Sequence, residues 1–530
     1  MLNFYQLEQH ITERMQAAQV PGLALAVVKD RQVIYAKGFG VTSVEDGGLP
    51  VTRQTLFRIG SVTKPLTGTA ILRLVEAGKL ELDRPIKDYL PWLSFSEKGA
   101  IERITLRMLM SHTAGLVTDA EHFGRRDAEG LEAYVREQMP RYQFIAPPGK
   151  LWFYSNPGLI LAGYIAEVVS GQPYSELMQK LVFEPLEMRR TTLDPTVAMT
   201  YPLAQSHDLN EDGTLSVQHR FADNVAHYPA GFVMSTVLDL ANFAIMQMSQ
   251  GRFHNRQILS PASIAEMQAP YADLYTLNNS GYGLTFGTEN YKGQRVIGHT
   301  GGISSFISRF SMIPAEGAAV ILLFNRIAAD FDSDRIINTL FDQLLNLPEE
   351  APTPEPVEPE RSLWSRYSGS YLGPYSGLAV IEQENNQLIL TFNGERIPLQ
   401  ALRKDLYFGQ RPDNQAPISV GFIPEETGAT QYIMVDGSPC KRIERNPAFQ
   451  PNPEAWQAYA GTYEGIDSVQ IRLRDGALFI YPRQLSKEMR AVPIDNTRFA
   501  CDWCNFEFLP DEQGNFTKLK LADTWTLSRV

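Results

Sequence analysis

Ser61 and Lys64 are the pair in this 530-residue chain whose types and spacing suit covalent chemistry. A serine hydroxyl is a poor nucleophile until a neighbouring base takes its proton. A desolvated lysine with a lowered pKa can be that base. Spaced three apart at the start of a helix, both side chains project from one face of the first turn. Ser-x-x-Lys also arises by chance about once in a chain of this length, so its surroundings decide its weight. Two other stretches carry suitable groups. Tyr154 and Asn156 stand two apart in a loop between a turn and a helix start, where catalytic groups often sit, although loop aromatics usually just pack. His299-Thr300-Gly301-Gly302 ends in a glycine pair, which lets a ligand approach the backbone of a strand. His112 lies in a polar turn after an apolar helix and is expected to tie that turn by hydrogen bonds. Cys501-Asp502-Trp503-Cys504 has metal and redox spacing, but zinc needs four ligands and no second Cys or His pair accompanies it.

These residues need elements to hold them. Val62, Leu66, Ile71, Leu74 and Val75 recur at helical intervals behind Ser61 until Gly78, a stop residue. Ser61 is therefore placed at a helix N-terminus, where free N–H groups and the dipole favour an incipient oxyanion. Upstream, Phe4, Leu7, Ile11 and Met15 make an amphipathic helix. Gly22 to Val28 and Val33 to Phe39 read as a hairpin turning at Asp30-Arg31. A long apolar helix follows Asn156 and ends near Gly171, and another spans Leu238 to Met248. Residues 201 to 230 are polar and irregular, a wall or lid over a site. Phe306 to Ile313 and Ala318 to Asn325 form a second hairpin, and an Ile- and Leu-rich helix, Asp330 to Leu345, follows it. Hairpin first, helices in the middle and hairpin last predict an α+β domain: one antiparallel sheet covered by helices.

Residues 348–360 are rich in Pro and Glu and read as an extended linker. Beyond it strands predominate and the segment repeats itself. Tyr367-Ser-Gly369-Ser-Tyr371 returns as Tyr459-Ala-Gly461-Thr-Tyr463. Asn386-Gln-Leu388-Ile-Leu390 returns as Gly476-Ala-Leu478-Phe-Ile480, and Phe422-Ile-Pro424 as Phe508-Leu-Pro510. Three landmarks in one order predict two small antiparallel all-β barrel modules, residues 361–448 and 449–530, behind a domain of residues 1–347. Length alone suggests about three domains.

With 44% hydrophobic and 20% charged residues the composition is that of an ordinary globular protein. The net charge of −12 argues against a nucleic-acid surface. No run approaches the roughly 18 apolar residues of a membrane span. Three cysteines give no disulfide framework and fit a reducing compartment. Met1 to Ala18 lacks a basic start and an apolar core, so the chain as written is expected in the cytoplasm, or in the periplasm or secreted if a leader was removed.

Ser61-x-x-Lys64, Tyr154-x-Asn156 and His299-Thr300-Gly301, in that order, resemble the motifs of the serine β-lactamase and penicillin-binding protein superfamily, in particular its class C branch of β-lactamases, D,D-carboxypeptidases, D-aminopeptidases and esterases. The likeness covers roughly residues 5 to 345 and extends to Ser111-His112-Thr113-Ala114-Gly115-Leu116, Phe183-Glu184-Pro185-Leu186 and Pro229-Ala230-Gly231. It implies Ser61 as nucleophile, Lys64 as its activating partner, and Tyr154 as general base or acid with its phenol shifted toward phenolate by the lysine. Asn156 would hold the carbonyl side of the substrate, and His299-Thr300-Gly301 would be the wall strand of the cleft. The oxyanion hole would combine the N–H of Ser61 with one from the strand near Ile303 or Ser304.

His299 departs from the lysine usual in lactamases. A neutral histidine there weakens carboxylate recognition and with it dedicated β-lactamase or carboxypeptidase action. The linker and barrels are similar to the layout of bacterial D-aminopeptidases, where a barrel loop enters the cleft. The implied activity is hydrolysis of an ester through an acyl-enzyme, with D-amino-acid peptides next and β-lactams third. The contrasting class is a catalytically silent sensor of a peptidoglycan-derived ligand. No cofactor or metal is implied, and the expected partners are a small-molecule ester, amide or D-amino-acid peptide, with a homo-oligomer as a candidate assembly.

Overall fold

The computed structural model describes residues 4 to 530 apart from 211, 329, 350–354, 447, 466–467, 484–486 and 523–524. Part of the expected linker, residues 350–354, thus lies outside the described residues. The chain forms two compact units: residues 1–273 with 281–352, and residues 274–280 with 353–530.

The first unit is built on an eight-stranded antiparallel sheet. Its strands are β1 (Gly22–Lys29), β2 (Gln32–Gly40), β3 (Ala272–Asp273), β4 (Gly281–Tyr282), β5 (Gly287–Tyr291), β6 (Gln294–Ile303), β7 (Phe306–Ile313) and β8 (Ala318–Phe324). Their order is β2-β1-β8-β7-β6-β5-β4-β3, which pairs the first hairpin with the last. Central position explains the composition of β1 and β8. Both faces are covered, so nearly every residue is apolar. Alternation then sends Ala24, Ala26 and Val28 into one core and Leu23, Leu25 and Val27 into the other. The second core is sealed by α1 (Phe4–Ala17), through Leu7, Ile11 and Met15, and by a C-terminal helix (Ser333–Leu345), through Ile336, Ile337, Leu340 and Phe341. Each such fully buried side chain contributes about 1.5–3 kcal/mol.

The other face carries the helices that matter for the site. A 3₁₀ turn, Gly60–Val62, leads into α2 (Thr63–Glu76), which stops where Gly78 takes φ +69°. The long apolar helix α3 (Asn156–Ser170) is capped by the Ser155 hydroxyl, which accepts from Gly158 N–H, and ends at Gly171 with φ +68°. A third helix, α4 (Val237–Met248), packs beside β1 and β8. The described residues of 201–230 hold a short hairpin (His207–Leu209 with Leu215–Val217) and short helical turns. No helix among the described residues is long and apolar enough to cross a membrane.

In the second unit, the eight strands between Gly369 and Ile443 close an antiparallel barrel in simple meander order. The last nine strands, Gly461 to Arg529, form one barrel-like antiparallel sheet whose two edge strands, Met489–Arg490 and Val492–Pro493, are consecutive in sequence. The repeated landmarks occupy equivalent places. Tyr367 stacks on Phe422 at 3.9 Å, and Tyr459 on Phe508 at 4.2 Å. Tyr371 O–H donates to the Tyr367 carbonyl, as Tyr463 does to Tyr459. Cys501 N–H donates to the Cys504 carbonyl, so this buried pair closes a hairpin turn.

Candidate active site

Gly60 and Gly301 bring the two halves of the site together. Gly60 takes φ +49°, and a Cβ there would lie 2.6 Å from Gly302 N. A Cβ on Gly301 would lie 2.1 Å from the Ile59 carbonyl oxygen and 2.9 Å from Ser61 N. Only glycine lets β6 run this close to the turn that carries Ser61. Ser308 on the neighbouring strand fixes that turn, its hydroxyl donating to the Ile59 carbonyl at 2.6 Å.

Lys64 is 0% exposed. Its Nζ lies 2.7 Å from the Ala230 carbonyl oxygen, 2.8 Å from Asn156 Oδ1 and 3.0 Å from Ser61 Oγ. The first two atoms can only accept, so they take two of its N–H groups. The third direction faces the Ser61 hydroxyl. Burial holds the Lys64 pKa well below the usual lysine range, against an opposing pull from Asp119. A neutral amine in this place keeps its lone pair for the serine proton. Pro229-Ala230-Gly231 supplies the lysine's carbonyl partner, and the Pro229 carbonyl accepts from Thr67 one turn further along α2.

Tyr154 O–H donates to Ser61 Oγ at 2.7 Å. The expected drift toward phenolate is not found: burial raises the Tyr154 pKa, outweighing the hydrogen bond to Ser61. The cause is the burial of Tyr154 itself, which disfavours the charged phenolate. Asn156, the first residue of α3, gives Oδ1 to Lys64 and donates through Nδ2 to the main-chain carbonyl of Asp119. Both ends of its amide are engaged within the protein.

His299 lies on β6 facing the same side as Gly301, with Thr300 alternating to the exposed side. Its Nδ1 lies 2.5 Å from the Thr300 carbonyl, which can only accept, so the proton is on Nδ1 and Nε2 accepts from Tyr282 O–H at 2.8 Å. Burial first, then Lys64, pushes the His299 pKa down to about 3. The cleft wall is therefore neutral. Thr300 contributes its carbonyl to this arrangement.

The strand donor of the oxyanion hole needs correction. Ile303 pairs with Phe306, so Ser304, with φ +51°, belongs to the two-residue turn that follows. The pair flanking such a turn is hydrogen-bonded, so Gly302, one residue back, directs its N–H away from β7, and its nitrogen lies close to Gly60. The backbone donor that fits beside Ser61 N is thus Gly302 N rather than Ile303 or Ser304. His112 is buried with φ +58°, and its Nδ1 accepts from Ser155 N–H at 3.1 Å. Its ring packs on Tyr154 at 4.5 Å and Tyr282 at 4.8 Å, so it fixes the Tyr154 loop as a structural histidine. Sequence reasoning missed Tyr282 and Asp119, and named Gly302 only as half of a glycine pair. Tyr282 and Asp119 reach the site by tertiary packing alone, and Gly302 by a backbone group.

Comparison with known proteins finds a family and several relatives. The family model described as Beta-lactamase matches residues 7–341. Penicillin-binding protein 4 of Amycolatopsis lactamdurans is 29% identical over 379 residues, covering 68% of this chain and 98% of that protein. The unguisins hydrolase ungD' of Aspergillus campestris is 25% identical over 460 residues, 78% of this chain and 81% of its own length. Among solved structures, the octameric penicillin-binding protein homologue from Pyrococcus abyssi superposes with a TM-score of 0.59 at 25% identity, covering 83% of this chain and 100% of that one.

Proposed function

The chain belongs to the β-lactamase family of serine hydrolases, and we propose that it cleaves a neutral ester through an acyl-enzyme on Ser61, with Lys64 as the base. The observation that carries this reading is the fully buried Lys64, two of its N–H groups committed and its third direction 3.0 Å from Ser61 Oγ. Ser61 gives its proton to Lys64 Nζ as Oγ attacks the carbonyl carbon. The carbonyl oxygen gathers charge facing the N–H groups of Ser61 and Gly302, each worth about 3 kcal/mol to the transition state. Tyr154, protonated and 2.7 Å from Oγ, hands its proton to the leaving alkoxide and regains one from the Lys64 ammonium. Water then attacks the acyl carbonyl, giving a proton to the same base, and Ser61 leaves as the hydroxyl.

Neutral His299 supports the preference for substrates without a carboxylate. A fixed cation is what a penicillin or a peptide C-terminus would need there. An amide of a D-amino acid meets the same requirement and is the second reading. The silent-sensor reading is disfavoured because the lysine's partners remain aligned on an intact serine. We assign the chemistry to residues 1–347, treat 348–360 as a linker, and give the modules at 361–448 and 449–530 a part in access or assembly, for which the octameric relative is a precedent. A fluorophosphonate probe and a panel of p-nitrophenyl esters, D-alanine amides and nitrocefin test the reading. Labelling of Ser61 with esters turned over fastest is expected. Turnover without Ser61 labelling, or nitrocefin as the best substrate, overturns it.

A further inference from the structure

Asp119 is a carboxylate almost wholly out of water, beside the lysine but outside the catalytic set. Its Oδ2 accepts from the hydroxyls of Tyr134 and Tyr142. Among the described residues Oδ1 has no hydrogen-bond partner, and it lies 3.6 Å from His227 Nε2, which has none there either. Its main-chain carbonyl takes the Asn156 amide whose other end holds Lys64. One side chain thus links the main chain of Asp119 to Lys64.

The other titratable groups around Lys64 are neutral. His112 and His227 are buried and held below the usual histidine range, chiefly by burial, and His299 is pushed to about 3. Tyr154 and Tyr282 are kept protonated by burial. Around Asp119, Tyr134 and Tyr142 are likewise protonated, and burial followed by Asp119 raises Glu121. Asp119 is the charge that acts on Lys64 against its burial, and that lysine cycles between amine and ammonium.

We propose that Asp119 is a positioning residue that sets the pH at which Lys64 becomes a base, acting through the field of its tyrosine-held carboxylate and through Asn156. The proposal rests on the serine-hydrolase reading. An ammonium beside a carboxylate is stabilised, so the anion keeps the tetrahedral intermediate, in which Lys64 carries the serine proton, within reach at neutral pH. Without it, the buried amine would be a weaker base.

The test is the pH profile of kcat/KM for p-nitrophenyl acetate, whose acid limb reports the ionisation of the free enzyme's base. Asp119→Asn should move that limb down by about one pH unit, with Ser61 still labelled by fluorophosphonate. Tyr142→Phe, which removes one hydrogen bond from the carboxylate and concentrates its charge, should move the limb slightly upward, and it serves if Asp119→Asn fails to fold. A fall in rate with the limb unmoved in both variants overturns the proposal, leaving a packing role. So does a wild-type profile with no acid limb down to pH 4, since Lys64 would then need no counter-charge. Failure of the wild-type enzyme to label at Ser61 would instead strike the underlying reading.

Discussion

Lys64 in the first unit and Arg442 in the second are basic side chains pressed against backbone carbonyls, yet they are used in opposite ways. Arg442 donates to the carbonyls of Thr430, Ser368 and Arg366 and to the Tyr371 hydroxyl, so its rigid fork pins the ends of the barrel strands. Arg529 repeats part of this in the second module, donating to the carbonyls of Ala458 and Ala460. Lys64 has only two obligate acceptors, and its remaining direction points at a hydroxyl that carries a proton of its own. A guanidinium saturated by carbonyls is structural. An amine left one acceptor short, and desolvated, is a base. The difference lies in the count of acceptors and in which group can give up its proton.

Removing each side chain separates the two uses. Lys64→Ala should cut turnover of p-nitrophenyl acetate more than a hundredfold, about 3 kcal/mol or more, and Tyr154→Phe should do the same. Steady-state kinetics on folded protein check this, and a loss below tenfold in either variant would contradict the assigned roles. Arg442→Ala should instead lower stability by about 2 kcal/mol, because it strands carbonyls that it now satisfies. Thermal or urea unfolding reads that loss, while the ester activity of the folded fraction should stay within about twofold. A large loss of activity there would erase the contrast between the units.

A smaller change sharpens the contrast from the cleft side. His299→Lys puts a cation on a wall that is now neutral, and should raise the nitrocefin-to-ester activity ratio roughly five- to 150-fold, equivalent to about 1–3 kcal/mol. An unchanged ratio would refute the role given to His299. Smallest is the effect of truncation after Leu345. Activity on p-nitrophenyl acetate should persist within about tenfold, roughly 1.4 kcal/mol. Residues 274–280 group with the second unit, so they would remain without their neighbours, and selectivity among larger esters should shift. A folded but inert truncated domain would mean that the second unit completes the site.

Much of the framework was legible because it is written in local periodicity. The α1 stripe, the two hairpins that pair through β1 and β8, and the Tyr-Gly-Tyr repeats all announce themselves within a few residues. Ser61, Lys64 and Tyr154 were legible as motifs, and the structure brings Lys64 Nζ to 3.0 Å and the Tyr154 hydroxyl to 2.7 Å from Ser61 Oγ. What escaped reading depends on burial or on the backbone. The protonation of Tyr154 follows from how much of it is desolvated, which no spacing reveals. The N–H of Gly302 has no side chain to signal it, and the register placing Ser304 in the turn is a tertiary fact. Asp119 and His227 meet only after folding, as do Gly369 and the Arg442 guanidinium that fills the space its Cβ would need.

The most direct test is to quench a reaction with a p-nitrophenyl ester in acid and map the acyl group by peptide mass, in the wild-type protein and in Ser61→Ala. The serine mechanism predicts an ester-linked acyl group on the peptide containing Ser61. It predicts none in the variant, which should be folded and inert toward every substrate. Near wild-type turnover in Ser61→Ala, or an acyl group found on another residue of the wild-type chain, would contradict it.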